Sequence, residues 1–129
     1  MIEKIHHVGL AVHNIEVVAA FLEEVFGAKL MPNYALETGE FLSRMVKAGE
    51  NQFELLEPRG KDGLIERFLN TRGEGIHHVS LQVDNLEELL KLCEARGMSL
   101  IGGRFIHPKS AHGVLIELIG SAEAGRISR

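Results

Sequence analysis

The sequence predicts an α+β fold made of two tandem copies of one small unit, each running strand, helix and then further strands. Two observations carry this. The segment from His6, His-His-Val-Gly-Leu-Ala-Val-His-Asn-Ile-Glu, returns from His77 as His-His-Val-Ser-Leu-Gln-Val-Asp-Asn-Leu-Glu, and similarity that dense marks a duplicated supersecondary unit. Each copy is also followed by the same succession of periods: apolar residues at every second position, then at three- and four-residue spacing, then at every second position again.

The elements follow in order. Alternation over residues 6–12 predicts the first strand. Asn14 is a natural N-cap, and Ile15, Val18, Ala19, Leu22 and Phe26 fall at helical spacing up to Gly27, which suits a left-handed C-terminal position. Residues 41–48 read as a strand, Gly49-Glu50-Asn51 as a turn, and residues 52–56 as its antiparallel partner, ended by Glu57-Pro58. Leu64, Ile65, Phe68 and Leu69 predict a connecting helix over 64–72, before Gly73-Glu74-Gly75 leads into the second copy. There Asn85 caps a helix carrying Leu86, Leu89, Leu90 and Cys93 and closed by Gly97. Strands are expected at 99–101, 104–107 and 114–119, with a loop over 108–113. The tail from 121 to 129 has no periodicity and is expected to fray. The first unit occupies about residues 1–60 and the second about 73–120, in a single domain spanning 1–129.

Composition narrows the function classes. A chain of 129 residues with 45% hydrophobic and 25% charged residues is an ordinary globular domain. Its 14 Lys and Arg stand against 18 Asp and Glu, a net charge of −4 with no cluster of cations, so nucleic acid is not an expected partner. Apolar runs are short and broken by charge, so no membrane association is expected, and no apolar signal region follows Met1, which reads as cytoplasmic. Cys93, the single cysteine, cannot form an internal disulfide and reads as a small core residue.

The seven histidines carry the chemistry. Alternation separates each adjacent pair. His6, Val8, Leu10 and Val12 share one strand face, while Ile5, His7, Gly9 and Ala11 share the other. In the second copy His77, Val79, Leu81 and Val83 lie opposite His78, Ser80 and Gln82. His7 and His78 are thus expected on a floor of small or polar neighbours, and His6 and His77 on packed faces, within reach of groups around the site. His13 reads as an exposed loop residue. The later strands each carry one carboxylate in an apolar run, Glu54 between Phe53 and Leu55 and Glu117 between Ile116 and Leu118. An ionised carboxylate there is costly unless paired or bound to a metal. If the copies pair about a pseudo-twofold axis, His7, Glu54, His78 and Glu117 converge, and two imidazoles with two carboxylates suit a divalent Co, Mn, Ni, Fe or Zn ion.

With these residues in view, the chain resembles the methylmalonyl-CoA epimerase family of the vicinal oxygen chelate superfamily. The resemblance rests on Ile5-His6-His7-Val8-Gly9-Leu10-Ala11-Val12, on Phe53-Glu54-Leu55-Leu56-Glu57-Pro58 and on Arg72-Gly73-Glu74-Gly75-Ile76-His77-His78-Val79. It continues in His107-Pro108-Lys109-Ser110 and in Gly113-Val114-Leu115-Ile116-Glu117-Leu118. It implies β-α-β-β-β modules forming a cup-shaped mixed sheet, and a divalent metal held by His7, Glu54, His78 and Glu117. It further implies an acyl-CoA substrate, epimerised at the carbon between carboxylate and thioester through a metal-stabilised enolate, and a homodimer. On that reading Glu117 is the proton-transfer group for one face of the substrate. Glu37, or Glu54 by pseudosymmetry, serves the other, and Lys109 and Ser110 bind substrate. Two departures stand out: the segment before His107 is short, and Thr38 replaces a Gln common in the family. A glyoxalase I-type lyase acting on a glutathione hemithioacetal and a non-catalytic small-molecule-binding member remain as alternatives.

Overall fold

The computed structural model describes residues 1–127. In chain order it contains β1 (Ile2–Ala11), α1 (Ile15–Phe26), β2 (Lys29–Glu37), β3 (Phe41–Ala48), β4 (Asn51–Pro58) and α2 (Leu64–Arg72). There follow β5 (Gly75–Val83), α3 (Leu86–Ala95), β6 (Leu100–Ile101), β7 (Phe105–Ile106), a 3-10 turn (Pro108–Ser110), β8 (Ile116–Gly120) and α4 (Ser121–Ile127). This is the expected α+β class. The strands hydrogen-bond in the order β2-β3-β4-β1-β5-β8-β7-β6. The sheet is mixed: β1 with β4 and β5 with β8 are parallel, and β2 with β3, β3 with β4, β6 with β7 and β7 with β8 are antiparallel. By compactness the described chain divides within β1 and β5, into residues 8–77 and into residues 1–7 with residues 78–127.

In the unit of residues 8–77, α1 begins where the Asn14 side chain accepts a hydrogen bond from the Val17 amide at 3.1 Å. It ends at Gly27, whose φ of 73° is the left-handed conformation that glycine reaches without a Cβ clash. Ile15 and Leu22 of α1 pack with Val12, Ala28, Val46 and Leu55. On alternate strand positions Ala11 and Leu56 pack instead with Ile65 and Leu69 of α2. The strand β2 was not expected; it contains Pro32 and Asn33, whose local preferences oppose a strand. It pairs with β3 with a register shift between Leu30 and Ala35, and an edge strand tolerates both a proline and a bulge. The decisive register is the parallel one of β1 on β4, in which Gly9 faces Glu54.

In the other unit, the Asn85 side chain accepts from the Glu88 amide at 3.1 Å to start α3. From α3, Leu86, Leu89, Leu90 and Cys93 pack with Leu81, Ile106 and Leu118. The register of β5 on β8 sets Ser80 opposite Glu117. The strands expected at 99–101 and 104–107 shorten to β6 and β7, two residues each, around a turn with Gly102 and Gly103 at φ 59° and 76°. The fraying expected from residue 121 is corrected by α4. Glu123 pairs with Arg104 and accepts from the Gly120 amide at 3.0 Å. The Ser121 hydroxyl bonds Glu3 and, at 3.0 Å, the Val83 carbonyl, and Ala124 is buried. These are tertiary anchors, which a seven-residue helix needs and periodicity does not display. Residues 128 and 129 of the predicted tail lie outside the described residues. Among the described residues no helix is long and apolar enough to cross a membrane.

Core packing sets an expectation for stability. Leu55, fully buried, should cost about 2–5 kcal/mol when replaced by Ala. Phe21, 52% exposed on α1, should change stability by no more than about 0.5 kcal/mol. Urea unfolding of the two variants makes the comparison.

Candidate metal centre

Three of the predicted ligands meet in the unit that contains β5 and β8. His7 on β1 and His78 on β5 are 3% and 4% exposed, and their Nε2 atoms are 3.1 Å apart. Oε1 of Glu117, on β8, is 3.3 Å from His7 Nε2 and 3.6 Å from His78 Nε2. Nitrogen and oxygen ligands at 2.0–2.2 Å from one ion stand roughly 2.8–3.6 Å from each other in octahedral or tetrahedral arrangements. The triangle of donor atoms has those edges, so the two imidazoles and the carboxylate fit a divalent metal in both spacing and chemistry.

The backbone explains the convergence. Ser80 is two residues beyond His78 and therefore on the same face of β5, and Glu117 is its register partner on β8. The Ser80 hydroxyl donates to Glu117 Oε1. Burial is the largest influence on the Glu117 carboxyl and raises its pKa. The His7 contact, the Ser80 hydrogen bond and the nearby His78 and His7 rings outweigh it, leaving the group below its usual range. On the other side of His7, its Nδ1 lies 2.7 Å from His6 Nδ1, and His6 Nε2 lies 3.3 Å from the Ala124 carbonyl. Burial, then the neighbouring His7, hold His6 below the ordinary imidazole range.

Glu54 occupies the corresponding place in residues 8–77. It is 8% exposed on β4, opposite Gly9, which is two residues beyond His7 on β1. The Ser43 hydroxyl, fully buried on β3, donates to Glu54 Oε2 at 2.6 Å. Sequence reasoning missed Ser43 altogether, and noticed Ser80 only as a polar neighbour. The available signal was a serine at a core-facing position of an apolar strand, Leu42-Ser43-Arg44-Met45-Val46. Among the described residues no buried side-chain nitrogen or oxygen lacks a hydrogen-bond partner, as native packing requires.

The strand-face reading needs two corrections. Ala11 shares the alternation of His7 but packs under α2 with Ile65 and Leu69, and Ile5 on the same alternation is 52% exposed. The small-residue floor is therefore local to His7 and Gly9. His13 is exposed, and the His77 ring packs edge-on against Phe68 with centroids 5.1 Å apart. Glu37 is the last residue of β2, exposed, with Oε1 3.6 Å from Arg59 Nη1. Lys109 is exposed on the 3-10 turn, while the Ser110 hydroxyl accepts from the Ser99 amide at 2.9 Å and so closes the loop.

Residues 6–120 match the model of the Glyoxalase/Bleomycin resistance protein/Dioxygenase superfamily, and the chain belongs to that superfamily. Within it, the chain is 34% identical to the mitochondrial methylmalonyl-CoA epimerase of Homo sapiens, over 89% of this chain and 72% of that one. It is 32% identical to the ethylmalonyl-CoA/methylmalonyl-CoA epimerase of Cereibacter sphaeroides, over 92% of this chain and 98% of that one. Among solved structures it resembles methylmalonyl-CoA epimerase from Mycobacterium tuberculosis at 25% identity and a TM-score of 0.83, covering 92% of this chain and 88% of that one.

The Ser80 bond has a pH signature. The folded-state pKa of Glu117 is depressed, so its contribution to stability is full above the unfolded carboxylate range and disappears as pH falls through the lower folded value. Ser80→Ala removes one cause of the depression. In metal-free protein, the stability deficit of Ser80→Ala against wild type should be larger at pH 7 than at pH 3. A deficit equal at both would assign it to packing alone.

Proposed function

We propose that this protein is a divalent-metal-dependent epimerase that interconverts (R)- and (S)-methylmalonyl-CoA. The observation that carries the reading is the triangle formed by the buried His7 Nε2 and His78 Nε2 with the half-buried Glu117 Oε1. Its weight comes from the relatives at 34% and 32% identity, whose names specify this reaction. Glu54 is the fourth ligand in the proposal. In support, it holds the same relation to His7, through Gly9, that Glu117 holds to His78 through Ser80. Two carboxylates balance the charge of a Co, Mn, Ni, Fe or Zn ion. These four side chains would hold the ion and would leave it able to take oxygen atoms of the substrate.

The reaction inverts a carbon flanked by a carboxylate and a thioester. Loss of its proton puts negative charge on the thioester oxygen, and a bound metal supplies Lewis-acid stabilisation for that charge. The chain's own task is to hold the substrate and move the proton. Glu117 takes the proton on one face, helped by its partial exposure and its place at the rim of the His pair. Glu37 serves the other face, which requires its ion pair with Arg59 to open. Lys109, exposed on its turn, meets an anionic group of the acyl-CoA, and Ser110 orients the loop that carries it. The working form is a cytoplasmic homodimer; in support, β2 and β6 end the strand order, with edges that no strand pairs among the described residues, and the free Cys93 thiol needs no oxidising compartment.

The test is loss of the α-hydrogen of methylmalonyl-CoA to D2O, with the metal content of the same sample measured. Wild-type protein with stoichiometric metal should exchange; a metal-replete sample that exchanges nothing, or that acts on a glutathione hemithioacetal instead, contradicts the proposal. His78→Ala should lose the metal and turnover together. Free metal at 100 to 1,000 times its dissociation constant should stabilise the fold by about 3–4 kcal/mol, so a chelator should lower Tm. Glu117→Gln, at saturating metal, should slow exchange from one epimer by about 10²-fold or more and from the other much less. Equal small losses for both would remove Glu117 as the base. Sedimentation at micromolar concentration should show twice the 14.3 kDa chain mass.

A further inference from the structure

The four-ligand reading leaves one buried titratable side chain beside the site without a task. His6 is 1% exposed, and its ring joins two partners. Its Nε2 is 3.3 Å from the Ala124 carbonyl of α4, and its Nδ1 is 2.7 Å from Nδ1 of His7. A carbonyl can only accept, so the hydrogen of that bond sits on His6 Nε2. A neutral imidazole carries one N–H, which leaves His6 Nδ1 a bare acceptor. His7 turns its Nε2 toward His78 and Glu117. An imidazole that gives the Nε2 lone pair to a metal carries its hydrogen on Nδ1, and the His7 Nδ1 faces the bare nitrogen of His6.

We infer that His6 is a positioning residue, which, held by the Ala124 carbonyl of α4, accepts the Nδ1–H of His7 and so fixes the ring orientation and tautomer in which His7 binds a metal. The inference rests on the reading of His7 as a ligand and assigns α4 a part in the site. Metal-bound histidines commonly pass their second N–H to a carboxylate, carbonyl or water. Here the acceptor is another imidazole, and the carbonyl stands one step further back. The anchors of α4 on Arg104, Gly120, Val83 and Glu3 keep that carbonyl in place.

The experiment uses the full chain and the metal alone. Co²⁺ affinity is measured by chelator competition for wild type, His6→Phe and His6→Asn. His6→Phe keeps a ring but no acceptor and should bind Co²⁺ about 10- to 100-fold more weakly. His6→Asn restores an acceptor oxygen near the place of Nδ1 and should recover most of that loss. Independently, ¹⁵N-labelled wild type saturated with Zn²⁺ should show a protonated His7 Nδ1 with a through-hydrogen-bond nitrogen–nitrogen coupling to His6 Nδ1. That measurement decides the matter if His6→Phe fails to fold. Zn²⁺-loaded wild type without the coupling, or folded His6→Phe with wild-type Co²⁺ affinity, overturns the inference while leaving His7 a ligand. Wild type that binds neither metal overturns the ligand reading, and this inference with it.

Discussion

Two parallel ladders constrain everything else in this protein. Where β1 runs beside β4 and β5 beside β8, a strand carrying a histidine is set in register with a strand carrying a glutamate. Gly9 faces Glu54 and Ser80 faces Glu117, each two residues beyond its histidine. Side chains alternate with a period of two, so a shift of one residue in either ladder would turn the carboxylate to the opposite face and bury it among helix-packing residues. The apolar neighbours of the two glutamates resist that shift. Leu55 packs with the α1 cluster and Leu118 with the α3 cluster, and both would have to move.

Burying carboxylates this way is costly unless their lone pairs are met. The chain meets part of the cost with serine hydroxyls, Ser43 on Glu54 and Ser80 on Glu117. It meets another part with the imidazoles, whose contacts together with the Ser80 bond outweigh burial and hold the Glu117 carboxyl below its usual range. A divalent ion completes the balance in the proposed holo state. The same logic accounts for His6: a buried ring beside the proposed ligand His7 needs partners for both nitrogens, and it has them in His7 and Ala124.

Much of this was legible in the sequence because the duplication supplied a second reading of each position. The histidine pair, the N-caps Asn14 and Asn85, and the embedded glutamates each occur twice, and α2 was read over its full extent from its apolar spacing. The rest was not legible for physical reasons. The strand β2 carries Pro32 and Asn33, whose local preference opposes a strand; an edge position and a register shift make them tolerable. The helix α4 is too short to announce itself by period and exists through the bonds of Glu123, Ser121 and Ala124. Ser43 has no counterpart in the other copy, so repetition could not point to it, and Ala11 kept the alternation of His7 while being claimed by α2.

The central claim is that these ladders deliver His7, His78 and Glu117 to one ion. An anomalous difference map at the cobalt edge, from crystals grown with Co²⁺, tests it most directly. The expected result is one peak about 2.0–2.2 Å from His7 Nε2, His78 Nε2 and a Glu117 oxygen. A peak elsewhere on the molecule, or none at those three atoms with Co²⁺ in excess, would contradict it.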